Sequence, residues 1–597
     1  MPRLLALAVL FYVLNALALS SDAQVGHLDQ PDASSGVDEL SQPAMRTRVV
    51  QGVRIPMRDS INLVADLIFP EPEGRYPTIL VRTPYGRRLE PYWTSRYLNF
   101  ARRGYVVVVQ AVRGREDSEG EWMPHVNERR DGYDTIDWIS RQAWSNGRVG
   151  MFGGSYLGSV QWLAAAENHP ALKCILPIVS GTDDFFDFPY DHGILNLQPA
   201  LDWLYITRGP TLEQGAPPNA SPERLRTLPL SRADDAWAGV NLPIFDRWLQ
   251  MDRPSAFTGA NFIADLEQVR IPALHINGWW DGEGAGGRRN WARMRGLRRD
   301  NQWVVYGFWP HGFSQWDGIG TRLADVEYGA ASRFDFQTLY VRWFDTWLKG
   351  KQVGLEHVPR AQIFLTGANQ WRNFNAWPPA DAREMTLYLS GTGGSEKSNR
   401  GTGALVQQPP TDLLAPLSYT YDPARAPVNR DINFLRSTRL WFNPREGDNL
   451  IYQTAPLTEA LEVGGPIELE LYFSTTGEDT DFFALLVDVD ERGRTRALAI
   501  GPGKIRARYL SGWETPSALG PGRIYRANIE LWDIAHRFER GHRIGLAIRS
   551  EWFPGFARNL NTIEPIAAAT RIEAARQTIY GDAQRPSVLR FRVLPRQ

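Results

Sequence analysis

The apolar positions change rhythm twice along the chain. From about residue 48, aliphatic runs such as TILVRTPYG (78–86) and YVVVVQAVRG (105–114) alternate with segments of helical spacing such as ERRDGYDTIDWISRQ (128–142). GRVGMFGG, SVQWLAAAENH and LKCILPIVS continue the series as strand, helix and strand. Continuous apolar strand runs joined by helices predict a parallel sheet covered on both faces. The rhythm breaks at 182. Residues 182–268 are rich in Asp, Trp, Phe and Pro, carry helix-like pieces and have no buried strand run. A helical insertion at the carboxyl ends of the strands is where a cap would sit. The alternation resumes with IPALHINGWWDG (271–282) and NQWVVYGFWPHG (301–312), and FQTLYVRWFDTWLKG (336–350) closes it as a helix ending at Gly350.

Beyond about 355 the pattern is one of short alternating strands punctuated by Gly, Pro and Asp, from AQIFLTG and EMTLYLSG through IELELYFST and FFALLVDVD to VLRFRVLP. Strands without helices predict an all-β sandwich of jelly-roll type. The expected division is therefore an α/β part in two pieces (47–181 and 269–354), a helical cap between them (182–268) and a jelly-roll β domain (355–597).

The N-terminus, MPRLLALAVLFYVLNALALSSDAQ, joins Arg3 to an apolar run and then small residues. This predicts a signal peptide over 1–23, cleaved after Ala18 or Ala23, and a flexible polar lead-in over 24–46. The mature protein is then periplasmic or secreted. A retained anchor is the alternative, since the run to Leu19 nears the lower limit of a span. No later stretch is long and apolar enough to cross a bilayer.

At 597 residues with 43% hydrophobic and 22% charged residues, the chain is an ordinary multi-domain globular protein. Its net charge of -1 gives no electrostatic argument for a nucleic-acid or anionic-membrane partner. One cysteine, Cys174, excludes an intrachain disulfide and a cysteine-rich zinc site, and sits in an apolar run as a core residue. No metal or other cofactor is expected. The 22 tryptophans suit apolar pocket walls as well as cores.

Candidate chemistry begins at MFGGSYLG (151–158), where Ser155 stands on a glycine turn between a strand and a helix. That is the nucleophile-elbow arrangement of α/β hydrolases, although Leu157 occupies the usual second glycine position and Gly158 comes one residue late. Acid and base should follow on later strand ends. Asp281 follows ALHINGWW and His311 follows WVVYGFWP, in the required order. His311 would take the serine proton and Asp281 would hold the imidazole. His125 is the one rival, but it precedes Ser155. The Tyr156 amide would be one oxyanion donor. The early loop RTPYGRR lacks a glycine run and offers the Tyr85 hydroxyl as the other.

With RTPYG, GGSYLG, GWWDG, WPHG and the late RNLNT (558–562) in place, the sequence resembles the cocaine esterase, α-amino-acid ester hydrolase and X-Pro dipeptidyl-peptidase family. The resemblance spans nearly the whole mature chain. It implies an α/β-hydrolase domain, a helical cap and a jelly-roll domain, and hydrolysis of small esters or amides through an acyl-enzyme without a metal. It also implies the roles given above for Ser155, Asp281, His311, Tyr85 and Tyr156. The α-amino-acid ester hydrolase pattern holds a substrate ammonium with carboxylates, its triad aspartate being followed by x-E-D. Here Glu283 is kept and Gly284 replaces the aspartate, while GTDDFFDF offers Asp183 or Asp184 as a further member. An X-Pro dipeptidyl-peptidase would need the same free amine. A catalytically silent protein that binds a partner through its jelly roll is the reading of a different class, against which the intact Ser, Asp, His and Tyr set argues. The sequence leaves a homo-oligomer open.

Overall fold

The structure is a computed structural model and describes residues 38–596 except 90–91, 214, 219, 312–319, 392–399, 430–440 and 443–448. The expected signal peptide lies outside the described residues. Of the lead-in, residues 38–46 are docked rather than loose: Asp38 N donates to Gln352 O (2.7 Å), and Ser41 N donates to buried Asp345 Oδ2 (2.7 Å).

Among the described residues, ten strands form the first sheet. They are β1 (Arg46–Pro56), β2 (Asn62–Glu71), β3 (Tyr76–Thr83), β4 (Val106–Ala111), β5 (Ser145–Gly154), β6 (Leu172–Ile178), β7 (Ala273–Trp280), β8 (Gln302–Pro310), β9 (Ala361–Leu365) and β10 (Gln370–Phe374). Their order is β1-β2-β4-β3-β5-β6-β7-β8-β9-β10. Pairing is parallel from β4 through β9 and antiparallel at both margins. The reason is visible in β4, whose six residues are all buried. Val107 and Val109 pack on one side with Phe100 and Phe152, while Val106 and Val108 pack on the other with Ile136 and Trp162. A strand buried on both faces has no polar alternation to display. Helices α1 (Glu128–Ser140) and α2 (Tyr156–Ala166) supply much of the second layer.

Between β6 and β7 the insertion carries helices α3 (Leu197–Ile206), α4 (Ala233–Ala238) and α5 (Pro243–Leu249) with 3₁₀ turns, as its texture predicts. Helix α6 (Gly284–Gly296) follows β7. Helix α7 (Phe336–Phe344) continues through a π turn to Gly350, whose left-handed φ of 72° ends it.

AQIFLTG, expected as a sandwich strand of the β domain, forms β9 and lies parallel to β8 with Val304 opposite Ala361, so the region beyond 355 lends a strand to the first sheet. All five residues of β9 are buried, as suits a strand flanked by β8 and β10 inside the first sheet. The rest of the C-terminal region is a second, largely antiparallel sheet system built on two fifteen-residue strands, Leu461–Thr475 and Ile524–Phe538. RNLNT joins this region to the insertion. Asn559 Nδ2 donates to Asp479 Oδ2 and Asp481 Oδ1, each at 2.8 Å, and the Arg558 guanidinium donates to Pro423 O and Arg226 O.

Candidate active site

The parallel strands deliver three loops to one edge of the first sheet. At the end of β5, Ser155 holds φ 60° and ψ −130°, a backbone state costly for any side-chain-bearing residue. It is fixed there by Ser155 N donating to Ile178 O (2.9 Å), and Ser155 O accepts from Gly158 N (2.7 Å). The displaced glycine now has a cause. A Cβ on Gly158 would lie 3.0 Å from Ile178 O, so it is here that α2 presses on β6; a Cβ on Gly153, at φ 144°, would lie 2.6 Å from that of Leu157.

His311, directly after β8, places Nε2 3.0 Å from Ser155 Oγ and Nδ1 2.9 Å from Asp281 Oδ1. Asp281 is fully buried at the end of β7, and the same oxygen accepts from Glu283 N (2.8 Å). Burial opposes charge on His311, but Asp281, Glu283 and Asp187 together outweigh it and push its pKa up to about 9. The resting imidazole therefore binds its proton tightly until something offsets the carboxylates around it.

Tyr156 opens α2, so its amide has no acceptor within the helix. Its phenol donates to Glu128 Oε1 (2.7 Å), Glu128 is ion-paired with buried Arg82 (2.6 Å), and the phenol also accepts from His125 N (3.2 Å). The first turn of α2 is thus clamped by buried groups. Tyr85 approaches from the loop after β3. Its hydroxyl accepts from Trp203 Nε1 (3.1 Å); burial and the charge of Glu283 raise its pKa, so it stays a neutral donor.

Glu283 is half-buried, with Oε1 3.4 Å from Ser155 Oγ and Oε2 without a hydrogen-bond partner among the described residues. Burial, countered by His311 and reinforced by Asp281, pushes its pKa up to about 7. The two aspartates expected beside it are engaged elsewhere. Asp183 Oδ1 accepts from Phe262 N (2.6 Å) and Ile263 N (2.9 Å), which ties the insertion to its own entry. Asp184 pairs with His125 Nδ1 (2.9 Å), whose ring stacks on Tyr156 with centroids 4.5 Å apart. Asp183 is thus not brought to Glu283, and Asp184 stands behind His125. The reason is non-local: backbone donors some eighty residues away take Asp183.

A carboxylate lodged against the first turn of α6, the helix that follows Glu283, was missed. Asp187, in the same GTDDFFDF segment, is 3% exposed; Oδ2 accepts from Thr182 N (3.0 Å), and Oδ1 has no partner among the described residues. Burial first, then the charges of Glu283 and Asp191, hold its pKa well above the usual carboxylate range. Like charges in one site cannot both ionise freely. A Cβ on Gly284 would lie 2.8 Å from Gly278 O, so the position where the x-E-D pattern has aspartate has no room for a side chain here. Among the described residues, no group of three or more His, Cys, Asp or Glu could hold a metal ion.

Comparison with known proteins bears on the family and the fold. Residues 59–312 match the X-Pro dipeptidyl-peptidase (S15 family) model, and residues 354–590 match that of the X-Pro dipeptidyl-peptidase C-terminal non-catalytic domain. The cocaine esterase of Rhodococcus sp. (strain MB1 Bresler) is 32% identical over 549 residues, 86% of this chain and 92% of that protein. A solved α-amino acid ester hydrolase gives a TM-score of 0.78 at 25% identity, over 95% of this chain and 100% of that one. An aminopeptidase from the marine sediment archaeon Thaumarchaeota archaeon shares the fold, with a TM-score of 0.79 at 24% identity over 97% and 100% of the two chains. The chain belongs to the serine hydrolase family that unites cocaine esterase, α-amino-acid ester hydrolase and X-Pro dipeptidyl-peptidase, with an α/β-hydrolase-like domain followed by an all-β region.

Proposed function

We propose that the protein is a serine esterase and acylase for small acyl compounds carrying a free α-ammonium group. Ser155 Oγ attacks the substrate carbonyl as its proton passes to His311 Nε2. Asp281 stabilises the imidazolium, and the Tyr85 hydroxyl and Tyr156 amide donate to the oxyanion. The leaving alcohol or amine takes the proton from His311, and water, deprotonated by the same nitrogen, releases the acid from Ser155.

The observation that carries the substrate reading is the pair of acceptors with no partner among the described residues, Glu283 Oε2 beside the nucleophile and Asp187 Oδ1, whose charge acts on Glu283 and His311. Buried acceptors of this kind are completed by a cationic donor. An ammonium between them also offsets the charges that hold the proton on His311, so the base is released as the substrate arrives. Asp187 replaces Asp183 in this reading, and Asp184 supports it through His125.

The test is a matched pair, a phenylglycine methyl ester and its N-acetyl form, with an X-Pro amide as a third arm because relatives carry that name. Covalent labelling by a fluorophosphonate reports the nucleophile independently. Preference for the free amine supports the reading; equal turnover of the ester pair refutes it.

We also read residues 1–23 as an export signal, supported by Arg3, the apolar run and Ala16 and Ala18, which puts the mature enzyme in the periplasm or outside the cell. N-terminal sequencing of the mature protein checks this. The antiparallel C-terminal strands support a jelly roll, with the insertion at 182–268 as a helical cap.

A further inference from the structure

The C-terminal β region reaches the acidic wall of the site through one buried lysine. Lys504 lies on the short strand Gly503–Arg506, is 2% exposed, and holds its ammonium 4.7 Å from the Phe556 ring centre. Its Nζ is ion-paired with Asp191 Oδ2, itself buried. Asp191 Oδ1 accepts from His192 Nδ1 (2.6 Å). With that proton on Nδ1, His192 Nε2 is an acceptor, and Arg289 Nη2 donates to it at 3.0 Å. The other Arg289 nitrogen donates to Phe186 O, the carbonyl next to Asp187. Arg289 stands on α6, the helix that starts directly after Glu283. The donors converge on Asp191 from Lys504 and His192 and diverge from Arg289 to His192 and Phe186 O, so the two ends embrace residues 186–192.

We infer that Lys504 is a positioning residue for amine selectivity: it anchors the 186–192 segment from the β region and so keeps Asp187 facing Glu283. This rests on the ammonium reading of the site. The groups facing Asp191 and Asp187 are Lys504, His192, Arg289 and Glu283, with Glu530 3.9 Å behind Arg289. Without Lys504, Asp191 keeps only its bond to His192, and the 186–192 segment loses its anchor in the β region and relaxes. The hydrogen bonds from His311 to Asp281 and Ser155 do not run through Lys504 or Asp191, so the nucleophile and its base stay assembled, and only the charge of Asp187 felt by His311 changes.

The experiment compares full-length wild type, Lys504→Met and Lys504→Arg on the phenylglycine methyl ester and its N-acetyl form. Lys504→Met is expected to lower the free-amine to N-acetyl ratio of kcat/KM by about tenfold or more, mainly through KM, with fluorophosphonate labelling unchanged. Lys504→Arg restores most of the ratio. If Lys504→Met fails to fold, the double variant Asp191→Asn with Lys504→Met leaves no orphaned charge, and the same loss of ratio is expected. An unchanged ratio in a folded variant, or an equal loss on both esters, overturns the inference. A wild-type ratio near one instead overturns the ammonium reading, and the role of Lys504 falls with it.

Discussion

Glu283→Gln separates substrate recognition from base strength in one variant. Glu283 Oε1 is 3.4 Å from Ser155 Oγ, which is 3.0 Å from His311 Nε2, so carboxylate and imidazole are at most two hydrogen bonds apart. At about 6 Å and an effective dielectric near 20, their coupling is roughly 2–3 kcal/mol, or ~1–2 pH units on the imidazole. His311 is held at about 9 with Glu283 among its causes. Hydrolysis needs the neutral base, so kcat/KM for an uncharged ester rises with pH through the pKa of His311. Removing the Glu283 charge lowers that pKa, and the rising limb moves to lower pH by about 1–2 units. Below the limb, the variant should therefore hydrolyse N-acetyl phenylglycine methyl ester roughly tenfold faster than wild type. On the free-amine ester it should lose its advantage, because the ion pair is gone. The assay is a pH profile of kcat/KM for both esters on both proteins, between about pH 5 and pH 10. A limb that stays in place or moves upward on the N-acetyl ester would refute the electrostatic reasoning. The stability sign runs the other way from an ion-paired carboxylate. Glu283 titrates at about 7 when folded, above its ordinary 4.5, so its ionisation disfavours the folded state increasingly as pH rises through that window. Glu283→Gln should accordingly raise the melting temperature on the alkaline side.

Three further outcomes are expected. Ser155→Ala abolishes turnover of every ester and all fluorophosphonate labelling while the circular dichroism spectrum is preserved; activity within about tenfold of wild type would sink the assignment. Tyr85→Phe lowers kcat by about 10²–10³ with KM less affected, and leaves the Trp203 indole without its acceptor, so the melting temperature falls modestly as well. Gly284→Asp, which recreates the x-E-D pattern, lowers soluble yield and activity rather than sharpening amine preference, because its Cβ meets Gly278 O at 2.8 Å; a stable variant with improved preference would contradict this.

The residues legible in the sequence were those whose placement is local. Ser155, Asp281 and His311 each follow a continuous apolar strand run by one or two residues, and a strand end in a parallel sheet fixes which edge they reach. Tyr85 was legible for the same reason, as the tip of the loop after β3. The acidic partner of Glu283 was not. Three aspartates share one irregular segment, and which of them keeps an oxygen without a partner among the described residues depends on distant donors at Phe262 and Ile263 and on His125. No periodicity encodes that choice. The chain after 355 posed a similar problem: AQIFLTG has the length and turn of a sandwich strand, and only its parallel pairing with β8 tells that it joins the first sheet. Gly284 was visible as a substitution, but its cause, a carbonyl six residues back, required the backbone path.

The position of β9 bears on how the polypeptide can be divided. Val304, Val305 and Tyr306 of β8 are registered against Ala361, Gln362 and Ile363, so the strand that presents His311 has its outer neighbour from beyond the apparent end of the α/β part. A chain stopped near 354 would strip that neighbour away and leave a bare, apolar strand edge under His311, open to pairing with a second molecule. Gene-level dissection or domain exchange among relatives should cut after Phe374, where β10 closes the sheet.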